Sequence, residues 1–144
     1  KYSGFELGHM IIEKDGIPCT CGKKGCLEQY ASATGIARLA RRTLAKTDKA
    51  TVLNAETVTA KDVWDAVKAG DEVAIEVAEQ FGKYIGRGLA IMATISDPSI
   101  FVVGGGVSKA GEILTEGLKK HYKEGKERNV SFICSCYMGF GKLN

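Results

Sequence analysis

The sequence predicts a single α/β domain, and three observations carry this prediction. Two segments with the composition of β-strands, at residues 99–103 and 129–136, flank a segment with helical periodicity, as in a strand–helix–strand unit. Three earlier segments, at residues 32–46, 60–69 and 71–95, also place apolar residues at helical spacing. The chain has 144 residues, which is enough for one domain with a sizeable core.

The first 30 residues predict little regular structure. Residues 5–12 read as a strand, and Lys14-Asp15-Gly16 reads as the turn that follows it. Residues 17–26 are rich in glycine and cysteine and show no period, so we expect an irregular loop. Residues 27–30 then fit a single helical turn.

Three helices are expected next, each preceded by a residue that can cap its first turn. The expected caps are Ser32 or Thr34 for a helix to about Lys46, Thr59 for residues 60–69, and Asp71 for residues 71–95.

The third helix carries three glycines that lower helix propensity, Gly82, Gly86 and Gly88. They recur about one turn apart, so we expect them to mark a face where another segment packs closely. Asp97-Pro98 is expected to end this helix, because a residue before proline disfavours helical geometry.

The remaining segments predict a strand, a glycine turn, a helix and a strand. Residues 99–103 are rich in β-branched and aromatic side chains, which is typical of a strand buried on both faces. The triple glycine 104–106 follows, then an amphipathic helix at residues 109–123 and a strand at 129–136.

Charge and hydropathy exclude several functions. The net charge of +3, from 20 basic and 17 acidic residues, is too small to indicate a nucleic-acid partner, which we therefore do not expect. No apolar run is long enough to span a membrane, and no signal peptide is visible, so a soluble cytoplasmic protein is expected. Lys1 is not an initiator methionine, which suggests a piece of a longer protein.

Sulfur is concentrated near the N-terminus, where three of five cysteines fall in the segment Cys-Thr-Cys-Gly-Lys-Lys-Gly-Cys. The odd number of cysteines and their close spacing argue against a disulfide framework and for a metal site. Four residues supply a tetrahedral ligand set for a structural zinc ion, leaving no position for an activated water: His9, Cys19, Cys21 and Cys26. Buried free thiols are the weaker alternative here, whereas Cys134 and Cys136 alternate along a strand and are interpreted as simple small thiols.

Two carboxylates lie beside this cluster. Glu6 and Glu28 would approach His9 if a metal drew the loop together, and such groups bind the hydroxyls of a small polar ligand. Their interpretation as ordinary surface glutamates is about equally good.

The triple glycine 104–106 lies at the end of a predicted strand, a position that suits nucleotide binding. It lacks the dinucleotide-binding and Walker patterns, and a plain strand-to-helix turn explains it equally well.

Taken together, these motifs resemble the ROK family (repressors, open reading frames, kinases), and within it the bacterial glucokinases. The resemblance covers residues 4 to about 122. The segments that carry it are Glu6-Leu-Gly-His9, the Cys19 to Glu28 stretch, Tyr30-Ala-Ser-Ala-Thr-Gly35, and the stretch from Asp97-Pro98 through Gly104-Gly-Gly106 to Ser108.

The resemblance implies the second, C-terminal lobe of an actin-like, ribonuclease-H-like ATPase, with a zinc knuckle at about residues 9–28 and a nucleotide-side strand and turn at about 99–108. It implies that Glu6, His9 and Glu28 bind sugar hydroxyls and that Gly104, Gly105 and Gly106 lie along ATP. With magnesium, such a kinase transfers the γ-phosphate to the 6-hydroxyl of glucose. It also implies a homodimer.

Two departures limit the resemblance. The family's catalytic aspartate belongs to an N-terminal lobe that precedes Lys1, so no catalytic residue is assigned in this chain, and the chain alone is expected to be inactive. Residues 129–144 also depart from the family pattern. The alternatives are a sugar-responsive transcriptional repressor, and a kinase for another hexose such as fructose or N-acetylmannosamine.

Overall fold

The computed structural model describes residues 6–123 and 131–134. Four α-helices and two strands follow one another in this part of the chain, and three short 3-10 turns connect them. The regular elements are α1 (Ala33–Leu44), α2 (Ala60–Lys68), α3 (Glu72–Ser96), β1 (Ile100–Val103), α4 (Glu112–Lys123) and β2 (Ser131–Cys134). The 3-10 turns are Leu7–His9, Leu27–Gln29 and Gly106–Ala110.

The predicted helix caps are confirmed. The Ser32 hydroxyl accepts a hydrogen bond from the Gly35 amide at 3.0 Å, and so begins α1. Thr59 and Asp62 form a capping box at the start of α2, in which each side chain bonds the other residue's amide. These caps satisfy amides that have no partner inside the helix, which fixes where each helix begins.

Helix α3 is the centre of the fold and packs against α1, α2 and α4. Its Val73, Val77 and Phe81 are fully buried. The ring of Phe81 meets that of Trp64 from α2 edge to face, with the ring centroids 5.7 Å apart. Within the described ranges, no helix combines the length and hydropathy needed to cross a membrane.

The glycines of α3 do mark close packing, as predicted. A Cβ atom on Gly82 would lie 2.6 Å from the ring of His121 in α4, and one on Gly86 would lie 3.2 Å from its backbone carbonyl carbon. A Cβ atom on Gly88 would lie 2.7 Å from Leu27. The glycines therefore let α4 and the segment after Cys26 approach α3 more closely than any side chain would allow.

Strands β1 and β2 pair in parallel, with Ile100 opposite Ser131, and α4 connects them. The prediction that β1 is buried on both faces is wrong for this chain. Phe101 meets Tyr122 of α4 edge to face at 6.1 Å, but Ile100 and Val102 are 50% and 55% exposed. Along β1, these two exposed residues alternate with the partly buried Phe101 and Val103.

Two other predictions need correction. Residues 6–12 form no strand: Leu7–His9 is a 3-10 turn, and Ile11 makes only an isolated bridge to Cys26. Residues 109–111 do not begin the fourth helix, because the 3-10 turn Gly106–Ala110 comes first. Of the strand predicted at 129–136, residues 131–134 are confirmed, and the others lie outside the described residues.

Asp71 both begins α3 and holds the preceding loop. Its carboxylate accepts hydrogen bonds from the amides of Ala74 and Val52, each at 2.9 Å, and from the Thr51 hydroxyl at 3.0 Å. Partial burial raises the pKa of this carboxyl, but the three donors outweigh that effect and the pKa is lowered. The bonds are therefore strongest when Asp71 is ionised.

We expect Asp71→Ala to lower the free energy of unfolding by about 1–2 kcal/mol at neutral pH, because it removes a helix cap. A carboxyl with a lowered pKa contributes above its unfolded pKa, and the contribution fades as pH falls through the folded value. Urea unfolding at neutral and acidic pH measures both effects. Asp65→Ala, which removes an exposed carboxylate paired with Lys61, is the control with little expected change. An equal loss in both variants would contradict the assignment.

Candidate metal centre and adjoining sites

Four potential metal ligands converge in the N-terminal segment, as predicted. The ligand atoms of His9, Cys19, Cys21 and Cys26 all lie within 4.8 Å of one another. The Cys19 Sγ lies 3.5 Å from His9 Nδ1, and the Cys21 Sγ lies 3.5 Å from the Cys26 Sγ. Zinc–sulfur bonds of about 2.3 Å and zinc–nitrogen bonds of about 2.0 Å place tetrahedral ligand atoms about 3.5–3.8 Å apart. The cluster therefore has the size of a single four-coordinate metal site.

Backbone hydrogen bonds hold the loop that carries the cysteines, here called the knuckle (residues 9–28). The amide of Cys19 donates to Lys23 at 2.8 Å, and the amide of Gly22 donates back to Cys19 at 3.0 Å. The amide of Leu27 donates to Met10 at 2.8 Å and ties the end of the knuckle to its beginning. His9 therefore reaches the cluster from a 3-10 turn, and not from the strand that the sequence predicted.

Gly22 and Gly25 make the turns that direct the sulfur atoms inward. Their φ angles are +86° and +77°, a region that favours glycine. A Cβ atom on Gly25 would also overlap the carbonyl oxygen of Glu13, whereas one on Gly22 would meet no atom within 4 Å. Position 25 therefore requires glycine both for its positive φ angle and because a Cβ atom has no room there. Position 22 requires glycine for its positive φ angle alone.

The knuckle docks on α3 through contacts that the sequence did not reveal. The Tyr30 hydroxyl accepts a hydrogen bond from the Ile17 amide at 2.8 Å, and its ring stacks on Tyr84 of α3 at 4.3 Å between centroids. The Arg87 guanidinium donates to the Ile12 carbonyl at 3.0 Å. These contacts fix the cluster relative to the helical core.

Protons on the cluster thiols would compete with a metal ion. Burial raises the pKa of the Cys26 thiol to about 12, whereas the backbone amide of Lys23 lowers the pKa of the exposed Cys21 thiol. At neutral pH, a metal ion must displace the proton of Cys26, because only the thiolate binds metal. Metal affinity should therefore rise with pH.

Glu28 lies against the cluster. The Glu28 Oε1 is 3.2 Å from the Cys19 Sγ and 3.7 Å from His9 Nδ1, and its side chain is 39% exposed. Glu6 is exposed just before the turn that carries His9, and its carboxylate has no hydrogen bond to another described residue. The structure thus brings together His9 and Glu28, two of the three predicted sugar-binding residues.

The glycine turn follows the carboxyl end of β1, where the sequence predicted it. Gly104 and Gly105 are exposed, and Gly105 has a φ of +81° with open space around its Cβ position. The carbonyl of Gly105 accepts hydrogen bonds from the Ser108 amide and hydroxyl, at 3.1 and 2.8 Å. An exposed backbone at a strand end is accessible to a ligand, but nucleotide binding here stays a prediction.

The fold and the cluster together define an α/β structure with a loop that carries four potential metal ligands. The sequence pattern of the ROK family matches residues 3–134, and the chain belongs to that family. It is similar to the glucokinase of Halalkalibacterium halodurans, with 41% identity over 123 residues, or 82% of this chain. It is also similar to the DNA-binding transcriptional repressor Mlc of Escherichia coli, with 34% identity over 109 residues, or 76% of this chain.

Comparison with solved structures gives the same family. The crystal structure of a ROK family glucokinase from Streptomyces griseus, in complex with glucose and AMPPNP, matches 90% of this chain with a TM-score of 0.81 and 31% identity. The chain therefore has the fold of the ROK sugar kinases, the actin-like ATPase fold that the sequence predicted. It covers 37% of the H. halodurans glucokinase, 27% of Mlc and 45% of the S. griseus chain, so it spans less than half of each.

Proposed function

We propose that this chain is the zinc-bearing lobe of an ATP-dependent sugar kinase that phosphorylates glucose at its 6-hydroxyl. Within this proposal the chain is the C-terminal lobe, and a preceding lobe supplies the catalytic aspartate. The similarity to bacterial glucokinases over most of the chain supports this function.

The metal in the knuckle is proposed to be zinc with a structural role. One imidazole and three thiolates form a soft donor set that suits zinc, and all four tetrahedral positions are taken by protein atoms. When bound, the ion would hold the knuckle in place and supply no catalytic water. His9, Cys19 and Cys26 lie partly or fully inside the protein, as expected for a structural site.

The single observation that carries the proposed sugar site is the position of Glu28 beside the ligand His9. Nδ1 of His9 faces the cluster, so Nε2 on the opposite side of the ring is left for a second partner, and it has none among the described residues. The Glu28 carboxylate lies on the Nδ1 side of the ring, so a sugar would bond the carboxylate through one hydroxyl and Nε2 through another. We propose that Glu6 joins them when a sugar is bound.

Nucleotide binding is proposed at Gly104–Gly106. Glycines at the carboxyl end of a strand let backbone approach a ligand closely, and Gly104 and Gly105 are exposed. Magnesium would neutralise phosphate charge during transfer, and no residue of this chain is assigned as its ligand.

Glucose binding tests the sugar site directly. We expect amide resonances of residues 8–10 and 27–29 to shift saturably when the chain is titrated with glucose. Glu28→Gln should weaken binding about tenfold or more, because it removes a charge-assisted hydrogen bond. Glu72→Gln replaces an exposed glutamate paired with Lys49, far along the chain from the knuckle, and is the matched control.

The outcomes discriminate between sugars. No saturable shift with glucose, or equal affinity in Glu28→Gln, would contradict the proposed site. Tighter binding of fructose or N-acetylmannosamine would keep the site but change the substrate.

A second candidate function is sugar-responsive regulation of transcription, which the similarity to Mlc supports. Both candidates would retain the knuckle and the sugar contacts. Binding of ATP or AMPPNP at Gly104–Gly106 favours the kinase, because a repressor has no need of a nucleotide. We also expect this chain alone to show no sugar phosphorylation, and such activity would contradict the assignment of the catalytic aspartate to another lobe.

A further inference from the structure

We propose that Cys21 is a site of reversible oxidation: a peroxide oxidises its sulfur, Cys26 closes a disulfide with it, and the knuckle releases its metal. The disulfide needs only the two thiols, whereas the release of metal rests on the proposed function of the knuckle as a zinc site. Three observations carry the inference: the unequal exposure of the cysteines, the distance between two of their sulfur atoms, and the way the backbone holds each of them.

The three cysteines of the knuckle differ in exposure. Cys19 and Cys26 are 8% and 0% exposed, whereas Cys21 lies at the surface. Oxidation of a cysteine by peroxide depends on the accessibility of its sulfur and on its thiolate character. A sulfur that binds a metal ion is already a thiolate. Cys21 is therefore the sulfur of the knuckle that a dissolved oxidant reaches first.

Cys26 lies where it can complete the reaction. Its Sγ is 3.5 Å from the Sγ of Cys21. The sulfur atoms of a disulfide are about 2.0 Å apart, so the two atoms need to approach each other by about 1.5 Å. The Cys19 Sγ, in contrast, lies against Glu28 Oε1 at 3.2 Å and His9 Nδ1 at 3.5 Å. The expected disulfide therefore joins Cys21 to Cys26.

The backbone holds Cys26 more firmly than Cys21. Cys21 lies at the tip of a turn that the Gly22 amide closes by donating to the Cys19 carbonyl at 3.0 Å. A Cβ atom on Gly22 would meet no other atom within 4 Å, so this part of the tip has open space beside it. Cys26 is buried and forms a backbone bridge with Ile11. We therefore expect the tip to move toward Cys26 when the disulfide forms.

The oxidation is balanced as a two-electron reaction with hydrogen peroxide. The Cys21 thiolate attacks one peroxide oxygen, the O–O bond breaks, and hydroxide leaves as a sulfenic acid forms on Cys21. The Cys26 thiolate then attacks that sulfur, so that the S–S bond forms, the S–O bond breaks and a second hydroxide leaves. Solvent supplies two protons. Two thiolates and one peroxide thus give one disulfide and two water molecules.

The disulfide would remove two of the four metal ligands. Only a thiolate binds metal, so His9 and Cys19 would be the ligands that remain. Loss of an outer-shell partner alone costs about 10–100-fold in metal affinity, so loss of two direct ligands should cost more than about a hundredfold. A thiol reductant opens a disulfide by exchange and should restore the site.

The test treats the zinc-loaded chain with hydrogen peroxide. Peptide mapping without reductant locates the disulfide, and a zinc-sensitive dye measures the released metal. We expect a Cys21–Cys26 disulfide, an intact mass lower by two hydrogen atoms, and zinc released in proportion to the disulfide formed. Dithiothreitol followed by added zinc should return the chain to its starting mass and metal content.

Two variants identify the roles of the two sulfur atoms. In Cys26→Ser the thiol that closes the disulfide is absent, so a sulfenic acid on Cys21 should persist and be captured by dimedone, at least about tenfold more than at Cys19. Cys136→Ser removes a cysteine outside the knuckle and should form the disulfide at the rate of the parent chain. Amide spectra verify that both variants are folded, and the mapping of the parent chain depends on neither.

Four results would overturn the proposal: knuckle thiols that stay reduced in peroxide, a disulfide that contains Cys19, equal dimedone capture at Cys19 and Cys21 in folded Cys26→Ser, and a disulfide that forms without release of zinc. A chain that holds no zinc before oxidation contradicts the proposed metal site instead. In that case the mapping still decides whether Cys21 and Cys26 form the disulfide.

Discussion

The chain is expected to bind one zinc ion, and His9→Ala and Cys21→Ser are each expected to lose it. Structural zinc sites in small domains contribute about 10–16 kcal/mol of apparent binding free energy at neutral pH, so this is the largest single effect predicted here. Removal of either ligand leaves three donors and opens the tetrahedral shell. The two variants test different elements, because His9 lies in the 3-10 turn and Cys21 in the loop.

Native mass spectrometry of metal-replete protein measures zinc per chain, and thermal unfolding measures what the ion contributes to stability. Cys136→Ser removes a cysteine that the sequence does not assign to the site, so it controls for the loss of a thiol. We expect this control to keep one zinc ion. Zinc binding that does not depend on His9 would contradict the four-ligand site, and the proposed position of the sugar beside His9 would then lose its support.

The direction of the pH dependence provides an independent check. The raised pKa of Cys26 means that the metal-free protein holds a proton there at neutral pH. Zinc binding releases this proton, so affinity should increase as the pH rises and fall on acidification. A competition titration at two pH values measures this change in zinc affinity. Affinity that does not change with pH would indicate that the buried thiol is not a ligand.

Local signals made the helices predictable from sequence. Ser32, Thr59 and Asp71 each accept hydrogen bonds from amides of the turn that follows, and this information lies within four residues of the cap. The convergence of the candidate ligands Cys19, Cys21 and Cys26 was predictable for a similar reason, because three cysteines and two glycines within eight residues indicate a cluster by their spacing alone. Neither inference needed knowledge of distant parts of the chain.

The errors arose where distant contacts decide the structure. Residues 6–12 have the composition of a strand, but the described chain gives them no continuous strand partner, and Leu7–His9 closes into a 3-10 turn instead. The hydrogen bond from Arg87 to the Ile12 carbonyl joins residues 75 positions apart, so no local sequence pattern predicts it. Similarly, the β-branched residues of β1 predict burial, but whether Ile100 and Val102 are covered depends on which elements pack against them.

A comparison of Gly25→Ala with Gly22→Ala separates two reasons for glycine in the knuckle. Both residues have positive φ, so alanine at either position should cost about 1–2 kcal/mol of backbone strain. Only at Gly25 would the added methyl group also overlap a backbone atom, the carbonyl oxygen of Glu13. A backbone atom cannot move aside by rotating a side chain.

Gly25→Ala is therefore expected to break the pairing that closes the knuckle, in which the Gly25 amide donates to Ile17 at 2.8 Å and its carbonyl accepts from Ile12 at 2.9 Å. Since Cys26 is the next residue, zinc affinity should fall by about a hundredfold or more, whereas strain alone in Gly22→Ala should cost about tenfold. Competition with a chromophoric chelator measures both affinities. Equal losses would mean that conformation, and not the space beside Glu13, decides the glycine requirement at both turns.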